Sequence, residues 1–459
     1  MILRKVKSEG IASISYFLAS ENEACVVDPR RDAKVFLKLA WDAEANIKYV
    51  FETHRNEDYV IGSKEIEDVV DVEVFHGPGL DWKYGNTIKE GQEFQIGVLK
   101  IKAIHTPGHT DESTSYAVID TTTGDEVIMV FTGDTLFVGD TGRIDMYGPE
   151  LSEKNAENLY NSLFNKILPL GDQAVILPAH GAGSVCGVAI NERELSTIGL
   201  ERMQNPILQL NDKSSFIQFK LSEHHYFAPY FKKMEVYNLE GPPLLKDIPR
   251  FKPLLPDEFK KKIEEGGIIV DTRNPASFGS AHIKNSYNIW LKGLPSYVGW
   301  VLPYDKPLLL IVENFSELKK AHKYLLRLGY DNIEGYLVGG IIAWYSNSFP
   351  TETLGMITAD TLKLMLDKGE DTFIIDVRGA PELKDGYIEG AKNIYVGDIE
   401  NKLKDIPKDI PIVTICGNGA RASMASSILK KNGFKNIFNV LGSMKAWKKA
   451  GYPIKKRVS

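Results

Sequence analysis

The chain has 459 residues, and at roughly 150 residues per domain this length predicts two to four folded domains. Hydrophobic residues make up 43% and charged residues 25%, which is typical of a globular protein and excludes extended disorder and fibrous repeats. The net charge of −6 provides no broad basic surface, so we expect no nucleic-acid partner.

No membrane partner and no export signal are expected either. No apolar run reaches the about 18 residues of a membrane-spanning helix, and the opening MILRKVKSEG lacks the apolar stretch of a signal peptide. The cysteines Cys25, Cys186 and Cys416 are too few and too widely spaced for a disulfide framework. We therefore expect a cytoplasmic protein in a reducing compartment, where a cysteine acts through its reactivity.

The first half of the chain mixes short strands with helices. Alternating segments such as ISYFLAS and VLKIKAIHT are typical of strands, and DAKVFLKLAWDAEA is typical of a helix. This pattern predicts a layered α/β domain over residues 1–240. The following stretch is rich in proline and has no clear periodicity, so residues 241–254 are predicted to be a linker.

The second half contains an internal repeat. DTRNPASFGSAHIKNSYNI begins at Asp271 and DVRGAPELKDGYIEGAKNI begins at Asp376, an offset of 376 − 271 = 105 residues. Because the similarity keeps its register over about 100 residues, it indicates two homologous domains, over residues 255–351 and 356–457. Each copy alternates helices with apolar strands, which predicts a small α/β domain with a parallel sheet.

Four polar clusters follow predicted strands in the first half. They are THRNEDY, HTPGHTDES, FTGDTLFVGDTGRID and PAHGAGS, at residues 53–59, 105–113, 131–145 and 178–184. Histidine beside Asp and Gly on such loops indicates ligands for a divalent transition metal, because imidazole and carboxylate groups suit such ions.

The order and spacing of these clusters resemble the metallo-β-lactamase-fold superfamily. Its pattern, H-x-H-x-D-H followed by H, D and H, falls here on His54, Asn56, Asp58, Tyr59, His109, Asp134 and His180. Asn56 and Tyr59 replace two histidines that a two-metal hydrolase of this superfamily needs. His54, His109 and Asp134 remain, which is the 2-His-1-carboxylate set of non-haem Fe(II) enzymes that activate oxygen.

The sequence further resembles bacterial persulfide dioxygenases that carry rhodanese domains, through FTGDTLFVGDTGRID, PAHGAGSVCG and STIGLERMQNP. The resemblance implies an αββα sandwich and one Fe(II) per chain at His54, His109 and Asp134, with zinc as an alternative in isolated protein. It implies oxidation of a low-molecular-weight thiol persulfide by O2 to sulfite and thiol. The resemblance leaves the homo-oligomeric state open.

The same resemblance implies roles for residues near the expected metal ligands. Asp58, Tyr59 and His180 are expected to contact the substrate or orient the metal ligands rather than bind a second metal. Arg143 is expected near the thiol-bearing substrate, and the alternative is that it only forms a surface ion pair.

In the second repeat, the strand PIVTI leads into Cys416, Gly417, Asn418, Gly419, Ala420 and Arg421, and a helix follows. A cysteine at such a turn faces backbone N–H groups and the positive end of the helix, which favour a thiolate and bind anions. The loop, with the preceding DVR, resembles rhodanese sulfurtransferases. The resemblance implies that Cys416 carries sulfane sulfur exchanged with thiosulfate, sulfite or a persulfide, and that Arg421 adds positive charge. Asp376 and Arg378 of DVR are expected to brace the fold.

The first repeat lacks this machinery. Val312 occupies the position of Cys416, and the loop VENFSEL supplies Glu313 and Glu317 instead of a cysteine and an arginine. Because negative charge opposes thiolate formation, we expect this domain to be inactive, with a structural or docking role. His282 is expected to be a structural histidine.

Three functions remain open from the sequence. The first is a persulfide dioxygenase fused to a sulfurtransferase. The second is a glyoxalase II-like thioester hydrolase with appended rhodanese domains, which requires two metal ions. The third is a non-catalytic sulfur-carrier or redox-sensing scaffold, and metal content distinguishes the three.

Overall fold

The structure is a computed structural model that describes residues 1–210 and 212–456. These residues fold into two compact units. The first comprises Met1–Asp247 and the short segment Leu326–Gly329, and the second comprises Ile248–Leu325 and the chain from Tyr330 onward.

The described part of the first unit contains two six-stranded sheets. One has the order β1-β2-β3-β4-β5-β6, with β1 Ile2–Ser8, β2 Ser13–Ser20, β3 Glu23–Val27, β4 Asn46–Phe51, β5 Glu73–His76 and β6 Asn86–Thr87. The other has the order β12-β11-β10-β9-β8-β7, with β7 Glu93–Ile96, β8 Leu99–His105, β9 Thr114–Asp120, β10 Val127–Gly133, β11 Val175–Pro178 and β12 Ser196–Thr197. The helices are α1 Lys34–Asp42, α2 Ser63–Glu67, α3 Pro149–Ser162, α4 Ile198–Gln204, α5 Lys213–Ser222 and α6 Phe231–Glu240.

The core of this unit lies between the two sheets. Tyr16 and Phe51 from the first sheet pack with Phe94 and Phe131 from the second, and all four rings are buried. Helices α3 and α5 pack on the outer face of the second sheet, where Phe216 of α5 joins a second apolar cluster. Helices α1 and α2 contact strands of the first sheet. This arrangement confirms the predicted αββα sandwich, and burial of alternating apolar side chains on both sheets stabilises it.

The second unit contains two five-stranded parallel sheets of the same topology. The first has the order β13-β17-β16-β14-β15, with β13 Lys252–Leu254, β14 Ile268–Asp271, β15 Tyr287–Asn288, β16 Leu308–Ile311 and β17 Ile333–Leu337. The second has the order β18-β22-β21-β19-β20, with β18 Gly355–Ile357, β19 Phe373–Asp376, β20 Lys392–Asn393, β21 Ile412–Ile415 and β22 Ile437–Val440. The helices are α7 Pro256–Glu264, α8 Pro275–Ser280, α9 Leu294–Val301, α10 Phe315–Arg327, α11 Gly340–Ser346, α12 Ala359–Asp367, α13 Ala420–Lys431 and α14 Ser443–Lys449.

The matching strand orders confirm the two parallel-sheet domains that the sequence repeat predicts. Strand β13 lies within the segment predicted to be a linker, where it pairs with β17 at the edge of the first sheet. Two of the DVR residues stabilise the second repeat. Arg378 forms a bidentate ion pair with the buried Asp376 and donates a hydrogen bond to the carbonyl of Gly386. None of the helices in the described parts of the chain has both the length and the apolar character needed to cross a membrane.

Candidate functional site

Strand direction brings the four polar clusters of the first unit together. Strand β9 is antiparallel to both β8 and β10, and β11 is parallel to β10, so β8, β10 and β11 all end at the same edge of the second sheet. The loops that follow these ends carry His109, Asp134 and His180. The loop after β4 of the other sheet adds His54.

His54, His109 and Asp134 converge at one buried point. The Oδ2 atom of Asp134 lies 3.7 Å from Nε2 of His54 and 3.5 Å from Nε2 of His109. Neither Nε2 atom has a hydrogen-bond partner among the described residues, although both are buried. A transition metal binds such donors at about 2.0–2.2 Å, so one ion between them would satisfy these unpaired atoms. The three residues therefore fit the single metal that the resemblance implies.

Hydrogen bonds fix both rings with Nε2 as the free acceptor. Nδ1 of His109 lies 2.9 Å from the carbonyl oxygen of Arg143, which can only accept, so this nitrogen carries the proton. Nδ1 of His54 lies 2.9 Å from the Thr53 hydroxyl, whose own hydrogen is donated to Asp28 at 2.8 Å. In its neutral form, each ring therefore turns an unprotonated Nε2 toward Asp134, which is the form that binds metals.

Electrostatics favour the ligand forms of His54 and Asp134, whereas Glu57 and Asp134 outweigh burial and raise the pKa of His109 above its ordinary value. Burial lowers the pKa of His54 to about 3, so this ring is neutral at physiological pH. Burial alone would raise the pKa of Asp134, but the nearby His180, His54 and His109 outweigh it and lower the pKa below its usual value. A neutral imidazole and an ionised carboxylate are the ligand forms that a divalent metal requires.

His180 holds the carboxylates in place. Its Nδ1 lies 2.8 Å from Asp134 and its Nε2 lies 3.0 Å from Asp58, so both ring nitrogens are engaged. Burial opposes protonation of this ring, but Asp134 and Asp58 raise its pKa well above the ordinary value. A histidine held in this way orients Asp134, and Asp58, His180 and Cys186 also place one ligand atom each within 4.8 Å of one another.

The side chains at the two positions that depart from the superfamily pattern bond to the backbone. The Tyr59 hydroxyl is buried and donates to the carbonyl of Asp28 at 3.3 Å. The Asn56 amide donates to the carbonyl of His54 at 3.2 Å. Both side chains therefore hold the loop that carries His54.

The Arg143 side chain forms an ion pair, which is the alternative interpretation, and its place near the substrate stays a prediction. Its guanidinium group is buried and forms a bidentate ion pair with Asp145. The Nε and Nη2 atoms of Arg143 lie 2.6 and 2.7 Å from the two carboxylate oxygens. The same group donates to the carbonyls of Val185 and Tyr226. The ion pair is present, but the Arg143 guanidinium that forms it is buried and does not lie on the surface. The contribution of Arg143 to the metal centre is its backbone carbonyl, which orients His109.

Sequence reasoning missed Glu57, Thr53 and Asp28. Glu57 is 1% exposed, and its Oε2 lies 3.8 Å from Nε2 of His109. One ligand atom from each of His54, Glu57 and His109 lies within 4.8 Å of the others. The sequence signal that could have identified Glu57 is a carboxylate within the H-x-H-x-D-H segment, at a position that the pattern leaves unspecified.

The second repeat holds Cys416 in the predicted strand-to-helix turn. Strand β21 ends at Ile415, and the Cys416 sulfur accepts a hydrogen bond from the backbone N–H of Gly419 at 3.0 Å. Gly419 has a φ of +101°, a left-handed conformation that favours glycine. The N–H of Gly419, immediately before α13, thus faces the sulfur, as expected of an anion-binding loop.

The charge of Arg421 is balanced within the structure. Its two terminal nitrogens contact the two carboxylate oxygens of Glu382 at 2.5 and 2.7 Å, and Glu382 belongs to a short 3-10 segment, Ala380–Asp385. Burial acts against the charged guanidinium, yet Glu382 raises the pKa of Arg421 above its usual value. The charge that Arg421 adds beside Cys416 is therefore paired with a counter-ion, and its role toward a bound anion stays a prediction. The side-chain oxygen of Asn418 accepts a hydrogen bond from the N–H of Ala420 at 3.1 Å and so caps the turn. Gly417 precedes Asn418 in this turn.

The first repeat packs against the helix of this loop. The Ser423 hydroxyl on α13 donates to the side-chain oxygen of Asn288 at 2.6 Å, and the backbone N–H of Asn288 donates to Ser427 at 3.0 Å. Val312 is buried at the position of Cys416, and His282 is buried and stacked on Phe278, as expected of a structural histidine. The loop that carries Val312 therefore belongs to a domain that directly contacts the cysteine-bearing one.

Comparisons with known proteins agree with this architecture. The Rhodanese-like domain family matches residues 255–347 and 358–450. The persulfide dioxygenase ETHE1 of Bos taurus is 26% identical over 223 residues, covering 46% of this chain and 77% of that protein. A hydroxyacylglutathione hydrolase of Dictyostelium discoideum is 32% identical over 173 residues, covering 36% of this chain but only 61% of the hydrolase.

A solved structure extends the likeness beyond one domain. A metallo-beta-lactamase from Staphylococcus aureus superposes with a TM-score of 0.65 at 27% identity, covering 73% of this chain and 98% of that one. The chain therefore joins an amino-terminal metallo-β-lactamase-fold unit, related to persulfide dioxygenase ETHE1, to two rhodanese-like domains.

Proposed function

We propose that the first unit is a persulfide dioxygenase with one iron per chain and that the second unit is a sulfurtransferase acting through Cys416. The observation that carries the proposal is the pair of unpaired Nε2 atoms of His54 and His109 beside Asp134, together with the engagement of His180 by two carboxylates. The relationship to ETHE1 and the two rhodanese-like domains support a role in sulfur metabolism.

The overall oxidation is R–S–SH + O2 + H2O → R–SH + SO3²⁻ + 2 H⁺. When bound, ferrous iron supplies the redox chemistry that joins O2 to the terminal sulfur. The chain's own residues position the ligands: Thr53 and Asp28 orient His54, the carbonyl of Arg143 orients His109, and His180 orients Asp134. Because the three ligands are buried, bulk water has little access to the reacting atoms.

Sulfur transfer at Cys416 follows from its loop. The thiolate attacks the outer sulfur of thiosulfate, the S–S bond breaks, and sulfite leaves: Cys–S⁻ + S–SO3²⁻ → Cys–S–S⁻ + SO3²⁻. The backbone N–H of Gly419 faces the sulfur and favours its negative charge. The reverse reaction would turn sulfite from the first unit into thiosulfate.

A thioester hydrolase is the second candidate, because a hydroxyacylglutathione hydrolase is among the relatives. Asn56 and Tyr59 weigh against it, since both side chains serve the loop and neither replaces the missing histidines. Metal quantification on anaerobically purified protein tests the choice. We expect one iron per chain, and two tightly bound zinc ions per chain would overturn the proposal in favour of the hydrolase.

A further inference from the structure

The loop after β4 carries a buried carboxylate that the proposed function does not use. Glu57 is 1% exposed, and neither of its carboxylate oxygens has a hydrogen-bond partner among the described residues. A buried carboxylate without hydrogen bonds is strongly unfavourable, so an acidic side chain held there requires a compensating partner.

The neighbouring Arg55 does not supply that partner. Arg55 lies two residues away and influences the Glu57 carboxylate electrostatically, but its guanidinium contact is with Glu235, at 3.7 Å. The backbone N–H of Arg55 donates to Glu112 at 2.9 Å. The closest charged or basic group with a defined contact to Glu57 is the His109 ring, at 3.8 Å, which is longer than a hydrogen bond.

The position of Glu57 relative to the two histidines explains why it is unpaired. One donor atom from each of His54, Glu57 and His109 lies within 4.8 Å of the others, and the Nε2 atoms of both histidines are also unpaired. Each of the three residues thus places one donor atom within reach of the other two, in a buried part of the protein. A single cation bound there satisfies the histidines and the carboxylate together.

We propose that Glu57 is a fourth protein ligand of the metal held by His54, His109 and Asp134. This inference rests on the metal site of the proposed function. With two carboxylates, the protein ligands neutralise both charges of a ferrous ion. The fourth ligand also leaves one fewer coordination position for substrates than the 2-His-1-carboxylate set does.

Metal titration of the full chain tests the assignment. Fe(II) affinity is measured anaerobically by competition with a chromophoric chelator, and Co(II) is then added to metal-free protein as a spectroscopic probe. We expect Glu57→Gln to weaken Fe(II) binding about 10- to 100-fold and to change the visible absorption of bound Co(II), because a coordinating oxygen is lost. Unchanged affinity with an unchanged Co(II) spectrum would overturn the assignment.

A matched control separates ligation from general damage. Glu201 is also buried, but it is fully paired by Arg193, Ser196 and the N–H of Gly139. Glu201→Gln is expected to leave Fe(II) affinity and the Co(II) spectrum unchanged. If Glu57→Gln does not fold, Glu57→Asp retains the charge on a shorter side chain, and wild-type affinity in that variant would contradict the proposal.

Failure of the inference and failure of the proposed function give different results. If wild-type protein binds one Fe(II) tightly and Glu57→Gln does so equally well, only the role of Glu57 is wrong. If wild-type protein does not bind a single Fe(II), both the metal site and the role of Glu57 are wrong.

Discussion

Nδ1 of His180 lies 2.8 Å from Oδ1 of Asp134, and Nε2 of the same ring lies 3.0 Å from Oδ2 of Asp58. In the superfamily pattern the position of His180 is one of the metal-binding histidines. In this chain the ring bridges two buried carboxylates instead. It fixes the orientation of Asp134, whose other oxygen faces His54 and His109.

This relationship predicts that His180→Gln weakens metal binding without unfolding the protein. Loss of a residue that orients a metal ligand typically lowers metal affinity about 10- to 100-fold. The Fe(II) dissociation constant, measured by chelator competition, checks the prediction. His76→Gln is the control, because His76 is a buried histidine of the same unit whose Nε2 pairs with the carbonyl of Tyr84. Equal affinity in wild type and His180→Gln would contradict the orienting role.

Sulfur transfer is predicted to depend on Cys416 alone. We expect Cys416→Ser to eliminate thiosulfate exchange, because the hydroxyl cannot form a persulfide, while sulfite production from supplied persulfide continues. Exchange is measured as cyanide-dependent thiocyanate formation from thiosulfate. The result would be contradicted by a variant that retains normal thiosulfate turnover.

The other cysteines provide controls for this experiment. Cys25 lies in the core between the two sheets, and burial raises the pKa of its thiol. Burial also raises the pKa of Cys186, which lies close to His109 and Asp134. Cys25→Ser is expected to keep full sulfur transfer, and Cys186 is the first residue to test if Cys416→Ser remains active.

The contact between the two rhodanese-like domains is predicted to stabilise the second unit. Ser423→Ala leaves the buried side-chain oxygen of Asn288 without its donor, which should lower the free energy of unfolding by about 1–3 kcal/mol. Ser426→Ala is the control, since the Ser426 hydroxyl bonds Thr414 within its own domain and Thr414 has further acceptors. Urea unfolding followed by circular dichroism measures both, and equal stability of Ser423→Ala and wild type would exclude a contribution from this contact.

Much of this molecule could be predicted from its sequence because the relevant signals are local. The offset between Asp271 and Asp376 predicts two copies of one domain, and their sheets have the same strand order. The turn at Cys416 follows from an apolar strand, glycines and a helix in immediate succession. The convergence of His54, His109 and Asp134 follows from their places after strand ends.

The remaining features depend on tertiary partners that spacing does not specify. The sequence does not indicate that Glu382, 39 residues earlier, pairs with Arg421. It also leaves open whether Arg143 pairs with an acidic residue, and the folded protein shows that the partner is Asp145. Glu57 occupies an unspecified position of its motif, so only the folded loop reveals that its carboxylate is buried beside His109.

We expect persulfide to be oxidised at His54, His109 and Asp134, independently of Cys416. Because the two sites lie in separate units, each with its own core, we expect His109→Ala to abolish persulfide-dependent O2 uptake and leave thiosulfate exchange intact. Loss of both activities in a folded variant would contradict this independence.

The most direct measurement is O2 consumption by the iron-loaded wild-type protein supplied with a low-molecular-weight thiol persulfide, with sulfite quantified in the same sample. We expect rapid O2 uptake, with sulfite formed in proportion to the O2 consumed. The His109→Ala variant should show neither O2 uptake nor sulfite formation. The absence of persulfide-dependent O2 uptake in wild-type protein, with hydrolysis of a glutathione thioester in its place, would contradict it.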